Sequence, residues 1–190
     1  MDRRSLFKAA AAVPFMSLAE RLYANAFAAR ESSSQAKPVY VATGTDATGT
    51  SHKNPWAETA LDFKVLTKDT SGGLFLMEQR NMPAGGPRRH MHYDEDEWFY
   101  LIEGDKVVAE VGDERITLKP GDSVLAPHRV PHVWAYVGEK PGRMLVGFTP
   151  ANKMQAFFEA INKRGGPLPP AESRTFGIEV LGPPLDVKKL

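Results

Sequence analysis

Between Leu61 and Thr149 the chain breaks into short runs rich in β-branched and aromatic residues, each closed by a turn signal. The runs are Leu61–Thr67, Leu74–Met82, Glu97–Glu103, Lys106–Val111, Glu114–Leu118, Ser123–Ala126, His132–Val137 and Arg143–Thr149. Gly72-Gly73, Gly85-Gly86, Gly104-Asp105, Gly112-Asp113, Pro120-Gly121 and Pro141-Gly142 lie between them. Eight strands at this spacing predict an antiparallel sandwich or barrel over residues 61–150. One helix is expected next, capped by Asn152 and carrying the apolar stripe Met154, Phe157, Phe158 and Ile161 up to Gly165-Gly166. That stripe should pack on the barrel. The Pro-rich remainder, Pro167 to Leu190, has one short apolar run, Phe176–Leu181, and is expected to lie extended along the surface, completing a region 151–190.

The N-terminal segment has a different texture. Met1 to Lys8 is basic, Ala9 to Leu18 is mostly apolar, and small residues stand two apart at Ala24/Ala26 and Ala26/Ala28. This is the layout of a cleavable export signal over residues 1–28. Ten mostly apolar residues interrupted by Pro14 and Ser17 are too few for a stable membrane span, which takes roughly 20. Arg3-Arg4, followed by Ser5, Leu6-Phe7 and Lys8, resembles the twin-arginine export motif, with Asp2 where Ser or Thr is usual. The mature chain is therefore expected in the periplasm, delivered already folded. Residues 29–60 read as a Ser-rich linker and an arm with little periodicity.

Composition narrows the chemistry. The 190 residues carry 24 Lys+Arg against 23 Asp+Glu, a net charge of +1, which argues against a nucleic-acid partner. Cleavage after Ala26 or Ala28 would remove Arg3, Arg4, Lys8 and Arg21 along with Asp2 and Glu20, leaving a net charge of −1. With no cysteine, thiolate metal sites, disulfides and cysteine nucleophiles are excluded. Any metal must be held by His, Asp or Glu.

Two of the five histidines, His90 and His92, stand two apart. In an extended strand such residues share a face, so both imidazoles can reach one ion. Glu97 opens the run Trp98 to Ile102 with the parity of Phe99 and Leu101, so it should face the interior, where a carboxylate is costly unless paired or coordinating. A Gly turn, a short apolar strand and a Pro-bounded loop from Gly121 to Pro131 deliver His132 into a strand where it shares parity with Trp134 and Tyr136. His90, His92, Glu97 and His132 are thus the candidate metal ligands. Phe99 and Trp134 are candidate substrate-binding residues. Glu95 is the fallback ligand if the register shifts. His128 is expected to be exposed, and Arg88 and Arg89 read as solvated loop arginines unless they meet an anionic substrate at the barrel mouth.

These residues resemble the cupin superfamily. His90, His92, Glu97 and Gly104 stand at the intervals of its first motif, with Gly85 one residue short of the usual leading position. Gly121, Pro127 and His132 fit the second motif, in which Arg129 replaces a Gly and Tyr136 an Asn. The resemblance implies an all-β double-stranded β-helix, or jelly-roll barrel, with a C-terminal helix, of the single-domain, quercetin-dioxygenase-like group. It also implies pairing of barrels as a homodimer, adds Arg129 to the candidate substrate-binding residues, and implies Glu97, with Tyr136, as the candidate proton carriers.

Three imidazoles and one carboxylate leave an octahedral ion two free positions, which suits Mn²⁺ or Fe²⁺; Ni²⁺, Co²⁺, Cu²⁺ or Zn²⁺ are alternatives. The resemblance points to a dioxygenase using dioxygen on a small enol, phenol or flavonol-like substrate, with Glu97 accepting a proton. The competing expectations are a non-oxidative isomerase, decarboxylase or lyase, and a periplasmic module that only binds its ligand.

Overall fold

The computed structural model describes residues 37–53 and 59–190. The segment read as an export signal lies outside the described residues. Val39–Leu190 forms one unit of the chain. Its strands are β1 (His52–Lys53), β2 (Ala60–Val65), β3 (Phe75–Met82), β4 (His90–His92), β5 (Asp96–Glu103), β6 (Lys106–Val111), β7 (Glu114–Leu118), β8 (Ser123–Ala126), β9 (His132–Val137), β10 (Gly142–Thr149) and β11 (Ile178–Val180). All pairings are antiparallel: one sheet runs β1-β2-β3-β10-β5-β8 and the other β11-β4-β9-β6-β7. The two sheets form the antiparallel barrel that the strand pattern implied, in the jelly-roll, or double-stranded β-helix, form that the resemblance implied.

Strand β5 shows why the sequence folds this way. Glu97, Phe99 and Leu101 are buried while Trp98 and Tyr100 are only partly so, the period of two expected of a strand with one face on the core. The core between the sheets holds Phe63, Phe75, Met77, Leu101, Val107, Met144, Val146 and Phe148, all essentially inaccessible to water. Each fully buried side chain of this size contributes about 1.5–3 kcal/mol relative to exposure.

The C-terminal region departs in three ways from the expected cap, helix and surface tail. The helix α1 (Met154–Arg164) stops at Gly165 in a left-handed conformation, but Lys153 rather than Asn152 occupies its N-terminal boundary, and no side chain caps it. Asn152 has a φ of +36°, outside the extended range that a capping residue uses. A second helix, α2 (Pro170–Thr175), starts on a proline whose fixed φ suits a first helical turn, a signal hidden in the Pro-rich composition. The apolar run near the end is not a loose tail: β11 pairs with β4, setting Ile178 opposite His92 and Val180 opposite His90.

The arm also carries more order than its sequence suggested. His52 is buried and stacks on Phe63 with ring centroids 4.0 Å apart. Its Nδ1 lies 3.0 Å from Asp46 Oδ2, and the Asp46 carboxylate also accepts from the backbone N–H groups of Thr48 and Phe63. This fastens residues 46–52 to β2. Among the described residues no helix is long and apolar enough to cross a membrane.

Candidate metal centre

The two sheets meet at a cluster of four side chains. Sheet pairing sets His90 opposite His132 across β4 and β9, while Glu97 reaches the same point from β5 in the other sheet. One ligand atom from each of His90, His92, Glu97 and His132 lies within 4.8 Å of the others. Three Nε2 atoms converge on Glu97 Oε2, at 2.9 Å from His132, 3.1 Å from His92 and 3.5 Å from His90.

The far side of each ring tests whether this cluster suits a cation. His90 Nδ1 lies 2.7 Å from the carbonyl of Arg88, and His132 Nδ1 lies 2.9 Å from the carbonyl of Val130. A carbonyl only accepts, so both Nδ1 atoms carry the proton and both Nε2 atoms offer lone pairs when the rings are neutral. Lone pairs aimed at a carboxylate oxygen repel it unless a positive charge lies between them. Neutral Nε2 donors and a carboxylate are the ligands that Mn²⁺, Fe²⁺ and related divalent ions accept, so the residues fit the group.

The electrostatics agree. Burial pushes Glu97 up, but its contacts with the imidazoles of His132, His90 and His92 outweigh it and hold the carboxyl well below its usual range. Burial opposes charge on His132, yet its hydrogen bond to Glu97 and that group's negative charge raise it above the ordinary histidine value. For His92 burial wins and the pKa falls.

The centre opens on a cavity of about 520 Å³, within the ~300–1,000 Å³ usual for small-molecule sites. His90, His92 and Glu97 line one part of it; Trp134, Phe148, Phe157, Phe158, Leu168 and Ile178 supply apolar wall, with Arg88 among its polar residues. The helical stripe therefore does more than cover the barrel, because Phe157 and Phe158 of α1 border the site itself. Its sequence signal was visible, but spacing alone cannot distinguish a core-facing stripe from a cavity wall.

The remaining candidates have separate places. Trp134 borders the cavity. Phe99 is buried beside it, with ring centroids 6.1 Å from Trp134 and 6.3 Å from His132, and is not among the cavity-lining residues. Arg129 is solvent-facing and bonds the Tyr93 carbonyl through Nε at 3.1 Å, also outside the cavity. Its φ of +61° explains why the related motif favours Gly at this position, and its backbone N–H donates to the carbonyl of His92 at 2.7 Å. Tyr136 is fully buried; its hydroxyl donates to the Lys140 carbonyl at 2.7 Å and accepts from the Asp105 N–H at 3.1 Å. Parity placed this ring inside correctly, but it is not a cavity-lining residue and its hydroxyl is already committed. His128 is exposed and bonded to Asp96. Glu95 is buried outside the four-atom cluster, and its burial, opposed by a hydrogen bond from Asn152, raises its pKa.

Residues 77–148 match the family model described as Cupin domain. That match spans 72 of the 190 residues. No curated protein matches the sequence. Solved structures similar to this chain include an RmlC-like cupin from Shewanella frigidimarina, at 18% identity and a TM-score of 0.46 over 62% of this chain and 99% of that one. The TT1209 protein from Thermus thermophilus is 27% identical over 48% of this chain and 83% of that one, with a TM-score of 0.42. KdgF from Halomonas sp. is 24% identical over 48% and 78%, with a TM-score of 0.42. The matched family segment supplies all four cluster residues, whereas Phe157, Phe158, Leu168 and Ile178 lie beyond it.

Proposed function

We propose that this cupin is a metal-dependent dioxygenase acting on a small enol, phenol or flavonol-like substrate. The observation that carries this reading is the meeting of a three-imidazole, one-carboxylate donor set with a largely apolar cavity of about 520 Å³. An ion held by His90, His92, Glu97 and His132, Mn²⁺ or Fe²⁺ first, would supply Lewis-acid activation and, with dioxygen, redox chemistry.

The chain's own residues do the rest. Trp134, Phe148, Phe157 and Phe158 exclude water and offer ring faces to a planar substrate. Glu97 borders the cavity and stays ionised, so its carboxylate is the group placed to accept a proton from a substrate hydroxyl. Tyr136 takes no part, because both hydrogen bonds of its hydroxyl go to backbone groups. The exposed Arg88 has no ion-pair partner among the described residues and meets an anionic substituent at the rim. The basic, apolar and small-residue pattern of residues 1–28 supports function in the periplasm after twin-arginine export.

Dioxygen uptake by Fe²⁺- or Mn²⁺-loaded protein, measured with catechols and flavonols and matched to product by mass spectrometry, tests the reading. Uptake in step with product is expected. Equal turnover without oxygen overturns the oxygenase step in favour of isomerase, decarboxylase or lyase chemistry. Tight ligand binding with no product at any metal loading makes the barrel a binding module.

A further inference from the structure

Two of the three cluster histidines have an obvious device holding the ring. His90 and His132 each bond the carbonyl two residues upstream through Nδ1, which fixes the tautomer and aims Nε2 at the centre. His92 has no such carbonyl. Its Nδ1 is buried without a hydrogen-bond partner, and so is Oε2 of Glu95. Only one other buried side-chain atom among the described residues, Thr67 Oγ1, shares that condition. The two unpartnered atoms lie 3.7 Å apart, with both residues 2% exposed.

This separation exceeds a hydrogen bond of about 2.7–3.2 Å by roughly half an ångström. A small shift of either side chain closes it. Leaving both groups buried and unpaired incurs the desolvation cost of each with nothing in return. The packing leaves room for closure, since Gly177, at φ +88°, has no side chain and even a Cβ there would lie 3.6 Å from Glu95 Oε2. Asp94 and Asp96, on either side in sequence, leave Glu95 as the acid of this turn that faces inward, with Asp96 committed to His128.

We infer that Glu95 is the positioning carboxylate of His92, accepting a hydrogen bond from its Nδ1–H and thereby presenting Nε2 to the metal centre. The inference rests on the metal-centre reading, but the bond itself exists with or without an ion. A carboxylate behind a ligating imidazole orients the ring and raises its basicity, and losing such a partner typically costs about 10–100-fold in metal affinity. Glu95 is thus neither the spare ligand its sequence position suggested nor a solvated turn residue.

The test uses full-length protein carrying ¹⁵N-labelled histidine, with Zn²⁺ as a diamagnetic probe. Imidazole NMR of the metal-free wild type should show His92 with a slowly exchanging Nδ1 proton. Glu95→Leu should lose that signal and bind Zn²⁺ about 10–100-fold more weakly by chelator competition. Glu95→Gln keeps the shape and a neutral acceptor, so it should retain the Nδ1 tautomer and recover part of the affinity; it carries the test if the leucine variant does not fold. Unchanged His92 tautomer and Zn²⁺ affinity within threefold of wild type in the folded variants would overturn the inference. A wild type that shows the Nδ1 proton yet binds no Zn²⁺ would defeat the metal-centre reading and leave the Glu95–His92 bond standing.

Discussion

His132 and Tyr136 point from the same face of β9, yet one joins a convergent polar cluster and the other fills a closed core. At His132 the neighbours are two more imidazoles and a carboxylate beside a cavity. At Tyr136 the neighbours are glycines: a Cβ at Gly104, Gly138 or Gly142 would lie 2.5 Å from atoms of the tyrosine side chain. Parity therefore decides that a side chain enters the barrel, but what surrounds it decides whether it can act. The absence of side chains at three glycines gives Tyr136 its volume, and two backbone bonds occupy its hydroxyl.

The largest effect should come from breaking the polar end. His92→Ala removes one of four ligands, so metal affinity should fall by more than the ~100-fold that losing an outer-shell partner can cost. Elemental analysis after desalting should find little metal, while full occupancy would show that His92 is not a ligand. At the closed end, Gly104→Ala should instead cost stability. Its φ of +118° disfavours any Cβ, and that atom would overlap Tyr136, so urea unfolding should report a loss of about 1–3 kcal/mol. The folded fraction should still bind metal with wild-type stoichiometry. A metal loss in Gly104→Ala matching that in His92→Ala would erase the distinction between the ends.

A smaller, graded difference follows from protonation. His132 is raised above its ordinary value of 6.5, so in the metal-free protein it contributes stability fully present below pH 6.5 and lost as pH rises through its folded value. Metal binding has the opposite sign, because the ion must displace that proton. Affinity should therefore rise with pH through the same interval, by at most about tenfold per pH unit for a single proton, and chelator competition at several pH values would measure it. A flat affinity profile from pH 6 upward would show that His132 does not hold the competing proton.

Much of the barrel was legible because alternation and turns act locally. The runs at Lys106–Val111, Glu114–Leu118, Ser123–Ala126 and His132–Val137 coincide with strands β6, β7, β8 and β9. The cluster was legible for the same reason, since an i, i+2 pair and an inward Glu follow from the pleat. What stayed hidden depends on long-range contact. His52 becomes buried only because Asp46 and Phe63 receive it, and Ile178 acquires a partner only when β11 reaches β4. Glu95 sits in an acidic turn where composition favours solvent, and only the fold reveals the unpaired imidazole nitrogen facing it. Arg129 occupies a left-handed position that a Gly would have announced.

The pairing of β11 with β4 sets an order of events. His90 and His92 lie on a three-residue strand that touches β9 through a single residue pair, so its other edge depends on Ile178–Val180. That edge partner leaves the ribosome nearly ninety residues later. A nascent chain therefore has its histidines long before it has the neighbour that steadies them, and the four-residue cluster can take its final shape only once that neighbour has been made.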